Sequence, residues 1–280
     1  MTTSVVLLHG GSTSARQWDL VLERMTAPAL ALDVPGRGDR PADVERLTLP
    51  QALDSLAADA GTAGPVILVA HSSGGLLVPG LVDRLGPRVR RVILLAASVT
   101  ADGGTGMDCM KPRHAEGLRA MRAAAQRGVT RAVTPADPPP AERLRTAWGT
   151  SLTDEQIAFV IHPSRWVSDT INFYDEPLDW SAVRQLPCTY VLTVHDTAVP
   201  PELQEVMASR AAAAVIPLAS GHLPHVTTPD VIAALCDGAA ADVDRQDLIA
   251  ESRAMAREIA IKSPDAPGVK SSCQANLVPE

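Results

Sequence analysis

The sequence predicts an α/β fold: a mostly parallel sheet flanked by helices, with an insertion after the fourth strand. Three observations carry this. Short apolar runs of β-rich residues recur over residues 4–97 and again over 188–218. Stretches with apolar residues at helical intervals separate them, as parallel βαβ units require. The runs are continuous rather than alternating, which implies strands covered on both faces.

The elements follow in order. Residues 4–8 form a strand ending at His9-Gly10-Gly11, and 20–25 have helical spacing. Residues 29–34 form the next strand, closed by Pro35-Gly36-Arg37-Gly38, and 49–60 a helix. Residues 66–70 are continuously apolar and end at His71-Ser72-Ser73-Gly74-Gly75; a helix over 76–85 stops at Gly86-Pro87. Residues 92–97 are a fourth strand. The regularity then breaks over 101–186, which is rich in Gly, Pro and Arg, with helical fragments at 115–126 and 154–161. It resumes with a strand (188–194), a helix (202–211), a short strand (214–218) and a last core helix (229–240). The expected organisation is a core of residues 1–100 and 187–242, a cap over 101–186, and a C-terminal charged helix (244–261) with a disordered tail within 243–280.

Composition bounds the function. The chain has 280 residues, 46 % of them hydrophobic and 20 % charged, enough for a sizeable core. The net charge of −7 shows no basic excess, so nucleic acid and anionic membrane are poor partners. Cys109, Cys188, Cys236 and Cys273 are far apart and form no metal or redox motif, which fits a reducing compartment. The N-terminus reads as a core strand rather than a signal peptide, and no stretch approaches 18 uninterrupted apolar residues; a cytoplasmic protein is expected.

The chemistry centres on residues 69–75. A strand ends, a serine occupies a sharp turn and a helix begins, as in the nucleophile elbow G-x-S-x-G. Small residues are needed two before and two after the serine, where backbones crowd. Ala70 and Gly74 frame Ser72 in this way. Shifting the frame to Ser73 would put His71 in the first small slot, which favours Ser72. Serine needs a base, and the base a carboxylate to hold it. Asp196 follows the strand at 188–194, and His222 follows the one at 214–218, so the chain order is Ser, Asp, His. His225 is the rival base, and a His222–His225 pair offers a metal no evident third ligand. Asp175, Glu176 and Asp179 are rival acids within the insertion. Oxyanion donors are expected from the backbone N–H groups of Ser73 and Gly11.

Six of the eight aromatic residues lie between Trp148 and Trp180. They serve either as the insertion's own small core or as a lid over an apolar pocket. Trp148, Trp166, Phe173 and Tyr174 are the candidates for substrate contact. Arg37-Gly38-Asp39 spells the integrin-binding tripeptide, but the turn after a strand already accounts for it.

Taken in order, His9-Gly10-Gly11 with Trp18, Asp33-x-Pro35-Gly36-x-Gly38, the Ser72 elbow, Asp196 and Gly221-His222 resemble the α/β-hydrolase superfamily over residues 4–240. Residues 193–204 and Gly221-His222-Leu223-Pro224 resemble its methylesterase and hydroxynitrile-lyase branch and the bacterial esterase relatives. That resemblance implies a helical cap, an ester substrate with an apolar part, and no cofactor. It also implies that the first strands of the largest members are absent. Lyase members carry a lysine after the histidine, where this chain has Leu223, and a dehalogenase would carry Asp at the elbow. The expected activity is therefore hydrolysis of a small apolar ester through an acyl-enzyme. A lyase or cyclase on the same scaffold, or a receptor with a vestigial triad, are the alternatives. The sequence leaves the oligomeric state open.

Overall fold

The apolar runs of the first hundred residues pair into one sheet. The computed structural model describes residues 2–148 and 152–262. β1 (Ser4–Leu8) leads through a 3₁₀ turn (Ala15–Trp18) into α1 (Asp19–Leu22) and β2 (Ala29–Leu32). α2 (Leu49–Asp59) starts at a capping box: the Thr48 hydroxyl accepts from the Gln51 N–H, and the Gln51 side chain accepts from the Thr48 N–H. β3 (Val66–His71), α3 (Val78–Leu85) and β4 (Val89–Leu95) complete this half.

Between β4 and the next strand come α4 (Pro112–Gln126), α5 (Ala141–Ala147) and α6 (Asp154–Val160). β5 (Cys188–Thr193), α7 (Pro201–Arg210), β6 (Ala214–Leu218), α8 (Pro224–Thr227) and α9 (Pro229–Lys262) follow. The six strands run in the order β2-β1-β3-β4-β5-β6, all parallel.

The two faces of the sheet divide the core by alternation. Val6, Leu8, Leu68, Ala70 and Leu94 pack with Leu53 and Leu56 of α2 and Leu81 of α3. Val5, Leu7, Ile67, Val69 and Ile93 pack with Trp18, Val21 and the Ile232–Cys236 part of α9. Successive strand side chains point to opposite faces, so a continuous apolar run is what a two-sided core needs. A third apolar cluster joins the insertion to the segment after β6: Leu144, Leu152, Ile157 and Val160 pack on Leu223 and Val226.

Some expectations are refined. The helix after β3 opens as a 3₁₀ segment (Ser72–Leu77) and becomes α-helical only at Val78. α5 was not expected, because its Glu/Arg-rich segment has little apolar periodicity. The charged helix expected from residue 244 is the continuation of α9, since nothing between Ala239 and Asp244 breaks the backbone ladder. β6 is an exception to two-sided burial: it pairs only with β5, and Val215 and Ile216 are 47 % and 42 % exposed. Cys109, Cys188 and Cys236 are buried and free. The expected disordered tail (263–280) and Cys273 lie outside the described residues. Among the described residues, no helix is long and apolar enough to cross a membrane.

Candidate active site

β3 ends at His71, and the chain turns sharply at Ser72, whose φ of 51° lies in the left-handed region. That turn lifts the side chain off the end of the sheet. The close packing behind it explains the small residue at position 74. A Cβ on Gly74 would lie 2.7 Å from the His9 carbonyl oxygen and 2.9 Å from that of Leu8. The Ser98 N–H donates to the Ser72 carbonyl at 2.8 Å and ties the turn to the end of β4.

The structure brings Ser72, His222 and Asp196 together. Ser72 Oγ lies 2.9 Å from His222 Nε2, and His222 Nδ1 lies 2.7 Å from Asp196 Oδ2. With the proton on Nδ1, the imidazole donates to the carboxylate and Nε2 accepts from the serine hydroxyl. Asp196 is buried, and its charge is met by four further donors. The Ala198 and Val199 N–H groups reach Oδ1 at 2.8 and 2.9 Å. The Thr193 hydroxyl and Gln204 Nε2 reach Oδ2 at 3.0 and 3.3 Å. A carboxylate so saturated stays fixed in direction.

The backbone of His222 is gripped from both sides. Its N–H donates to the Trp148 carbonyl at 2.9 Å, and its carbonyl accepts from His71 Nε2 at 2.7 Å. His71 therefore carries its proton on Nε2. Burial holds the His71 pKa well below its usual value, with the charges of His225 and His222 acting in the same direction. His225 is also buried, against His71 and Trp18. Its ring lies 4.4 Å from that of His71 and 4.9 Å from that of Trp18, its Nδ1 has no hydrogen-bond partner, and burial lowers its pKa to about 3. The rival acids lie elsewhere: Asp175 pairs with Arg122, and Asp179 accepts from the Ser181 N–H. His195 is exposed, with its N–H donating to the Ser220 carbonyl.

Gly10, Gly11, Ser72 and Ser73 line one cavity of about 830 Å³. Trp148, Trp166 and Tyr174 line it too, whereas Phe173 is buried in the core cluster against the sheet and does not. Tyr174 belongs to that core cluster as well, and Trp148 and Trp166 pack on the third apolar cluster, so these three contribute to packing and to the cavity lining alike. A Cβ on Gly11 would lie 2.8 Å from the Tyr174 hydroxyl and 3.2 Å from Ser73 Oγ, which leaves room there for little more than a glycine.

One constellation has no counterpart in the sequence reading. The buried Arg37 guanidinium pairs with the buried Asp169 carboxylate and donates to the Gly10 carbonyl at 3.0 Å. Asp169 Oδ2 accepts from the Ser12 N–H at 3.1 Å, and the Tyr174 hydroxyl bonds to Ser73. Burial pushes the Asp169 pKa up, against the pull of Arg37. In the sequence Arg37 stands out only through its turn and the tripeptide Arg37-Gly38-Asp39. Its partner lies 132 residues away, and no local pattern marks such a pair. Among the described residues, no group of three or more His, Cys, Asp or Glu side chains is placed to hold a metal ion.

Residues 5–235 match the sequence profile of the alpha/beta hydrolase family. A search of curated proteins finds no match. Among solved structures, an extracellular alpha/beta-hydrolase from a Paenibacillus species superposes with a TM-score of 0.70 at 19 % identity, covering 83 % of this chain and 97 % of that one. A pyrethroid hydrolase from Sphingobium faniae gives 0.65 at 20 % identity, covering 86 % and 98 %. A methylesterase from Arabidopsis gives 0.62 at 18 % identity, covering 85 % and 99 %. At these identities the likeness is one of fold.

Proposed function

The chain belongs to the alpha/beta hydrolase family, and from that premise we propose that it hydrolyses carboxylic esters of small, largely apolar molecules through an acyl-enzyme on Ser72. The observation that carries this reading is the unbroken hydrogen-bonded line from Ser72 Oγ through His222 to the buried Asp196. Esterases and hydrolases among the structural neighbours support it.

In this mechanism His222 Nε2 takes the hydroxyl proton as Ser72 Oγ attacks the ester carbonyl. Asp196 holds the imidazole in the required tautomer and stabilises the imidazolium that forms. The tetrahedral oxyanion is held by the Gly11 and Ser73 N–H groups, and His222 returns the proton to the departing alcohol. Water, deprotonated by the same imidazole, then releases the acid and restores Ser72. Residues 101–186 act as a cap, with Trp148, Trp166 and Tyr174 facing the apolar part of the substrate. Leu223, buried beside His222, takes the place of the lysine that lyase chemistry would call for.

Ser72→Ala is expected to lower turnover of 4-nitrophenyl esters by about a thousandfold or more, because triad members act as a unit. A fluorophosphonate probe should label the wild-type chain on the peptide holding Ser72. Ester turnover that survives Ser72→Ala, or a folded chain that resists the probe, overturns the reading.

A further inference from the structure

The cavity that holds Ser72 has a wall of one charge sign. Lys111, Arg113, His114 and Arg143 line it, and no Asp or Glu side chain does. This occurs in a chain with 32 acidic and 25 basic residues, where many cations are paired with acids and others, such as Arg88 and Arg210, donate to backbone carbonyls. Arg24 pairs with Asp230, Arg84 with Asp54, Arg90 with Asp247 and Arg184 with Asp102. Among the described residues, Lys111 and Arg113 have no carboxylate within ion-pair distance. The Lys111 ammonium donates instead to the Thr197 carbonyl, which is neutral and sits on the loop that follows Asp196. The bond places a full positive charge on the cavity wall nearest the acid loop and leaves two of its protons for another acceptor.

The placement runs against helix stability. Lys111 is the N-cap of α4, and Arg113 and His114 occupy its first turn, which contains no acid. The helix N-terminus carries the positive end of the peptide dipole, so cations there are disfavoured and anions favoured. Basic residues at this end, facing a cavity rather than a carboxylate, repel one another and the dipole until an anion enters. The cavity also has an apolar lining, with Trp148, Trp166, Val160 and Leu223 among its residues. A ligand that satisfies both kinds of lining has an apolar body and one anionic end.

We infer that the substrate is an ester whose end remote from the scissile carbonyl bears a carboxylate, received by Lys111 and Arg113 at the start of α4. This rests on the hydrolase reading and narrows its substrate class from apolar to amphiphilic. The reaction is unchanged: the ester C–O bond breaks, water supplies the new hydroxyl and proton, and the remote carboxylate is a spectator.

The experiment compares two esters of equal chain length on the full chain: mono-4-nitrophenyl adipate, which is anionic, and 4-nitrophenyl hexanoate, which is neutral. Spontaneous hydrolysis is subtracted. The ratio of their kcat/KM values is expected to favour the adipate by about tenfold at low ionic strength and to fall as salt screens the wall. Arg113→Glu, at an exposed helical position, should bring the ratio to about one or below by reversing the charge. A wild-type ratio near one, or a preference that Arg113→Glu and Lys111→Met both leave intact, overturns the inference while ester hydrolysis itself stands. If neither ester is cleaved and the fluorophosphonate probe leaves Ser72 unlabelled, the hydrolase reading fails instead.

Discussion

Ser72 holds its hydroxyl in place with a backbone that a residue bearing a Cβ avoids. At φ 51° the left-handed region costs an ordinary residue about 1–2 kcal/mol, and the surrounding contacts hold it there. Glycine occupies that region without strain but loses more freedom on folding. Ser72→Gly is therefore expected to be more stable than Ser72→Ala by a few tenths to about 1 kcal/mol in urea unfolding. Both variants lose the bond to His222, so their difference isolates the backbone; equal or reversed stabilities would remove strain from the account. The preference for Ser72 over Ser73 in the sequence rests on size alone, and Gly74 does sit against the Leu8 and His9 carbonyls. The partners of His222 were legible from chain order. The grip of His71 and Trp148 on its backbone was not, because main-chain bonds made across loops leave no residue-type signature.

At the scale of elements, the β4–β5 insertion is tied to the loops after β1 and β2 at several points. Ser14 Oγ donates to the Ser164 carbonyl at 2.6 Å, the Ser14 N–H donates to the Arg165 carbonyl at 3.1 Å, and Arg37 pairs with Asp169. That pair is the costly one to break. Arg37→Met leaves a buried carboxylate without its counter-charge, and the expected loss is about 3 kcal/mol in urea unfolding. Arg37→Met/Asp169→Leu removes both charges and should recover most of that loss, since an apolar pair of similar volume serves as well in the interior. Additive losses in the double variant would show that the two residues act separately. Turnover should fall in both variants, because Arg37 and Asp169 also hold Gly10 and Ser12 beside the cavity. The strands and the long helices of the core were legible because burial on two faces demands apolar runs and apolar periodicity. The insertion was legible only as an interruption. Its helices bury few side chains of their own, as with Ala115 alone in α4, and lean on residues far away in sequence.

Across the whole molecule, the same burial that sets the core makes stability depend on pH. His9, His71 and His225 are fully enclosed. Burial lowers His9 and His225 to about 3, aided for His9 by Arg37 and for His225 by His222, and His71 well below its usual value. In the unfolded chain each would titrate near 6.5. Below that pH the unfolded chain binds protons that the folded one refuses, so stability is full above about pH 6.5 and declines as pH falls toward the folded values. The slope approaches about 1.4 kcal/mol per pH unit for each histidine, or about 4 kcal/mol per unit for the three together. Urea midpoints measured from pH 8 to pH 5 are expected to be level at first and then to fall. His225→Phe tests the assignment. The ring of His225 stacks on Trp18 and its Nδ1 has no partner, so a phenyl ring should fill the site without stranding a polar group. This variant should match the wild type at pH 8 and lose stability less steeply below pH 6, by about one proton's share of the slope. A wild-type curve that stays flat to pH 5, or an unchanged slope in His225→Phe, would mean that the buried imidazoles accept protons in the folded state and that the interior around the site is more polar than its packing implies.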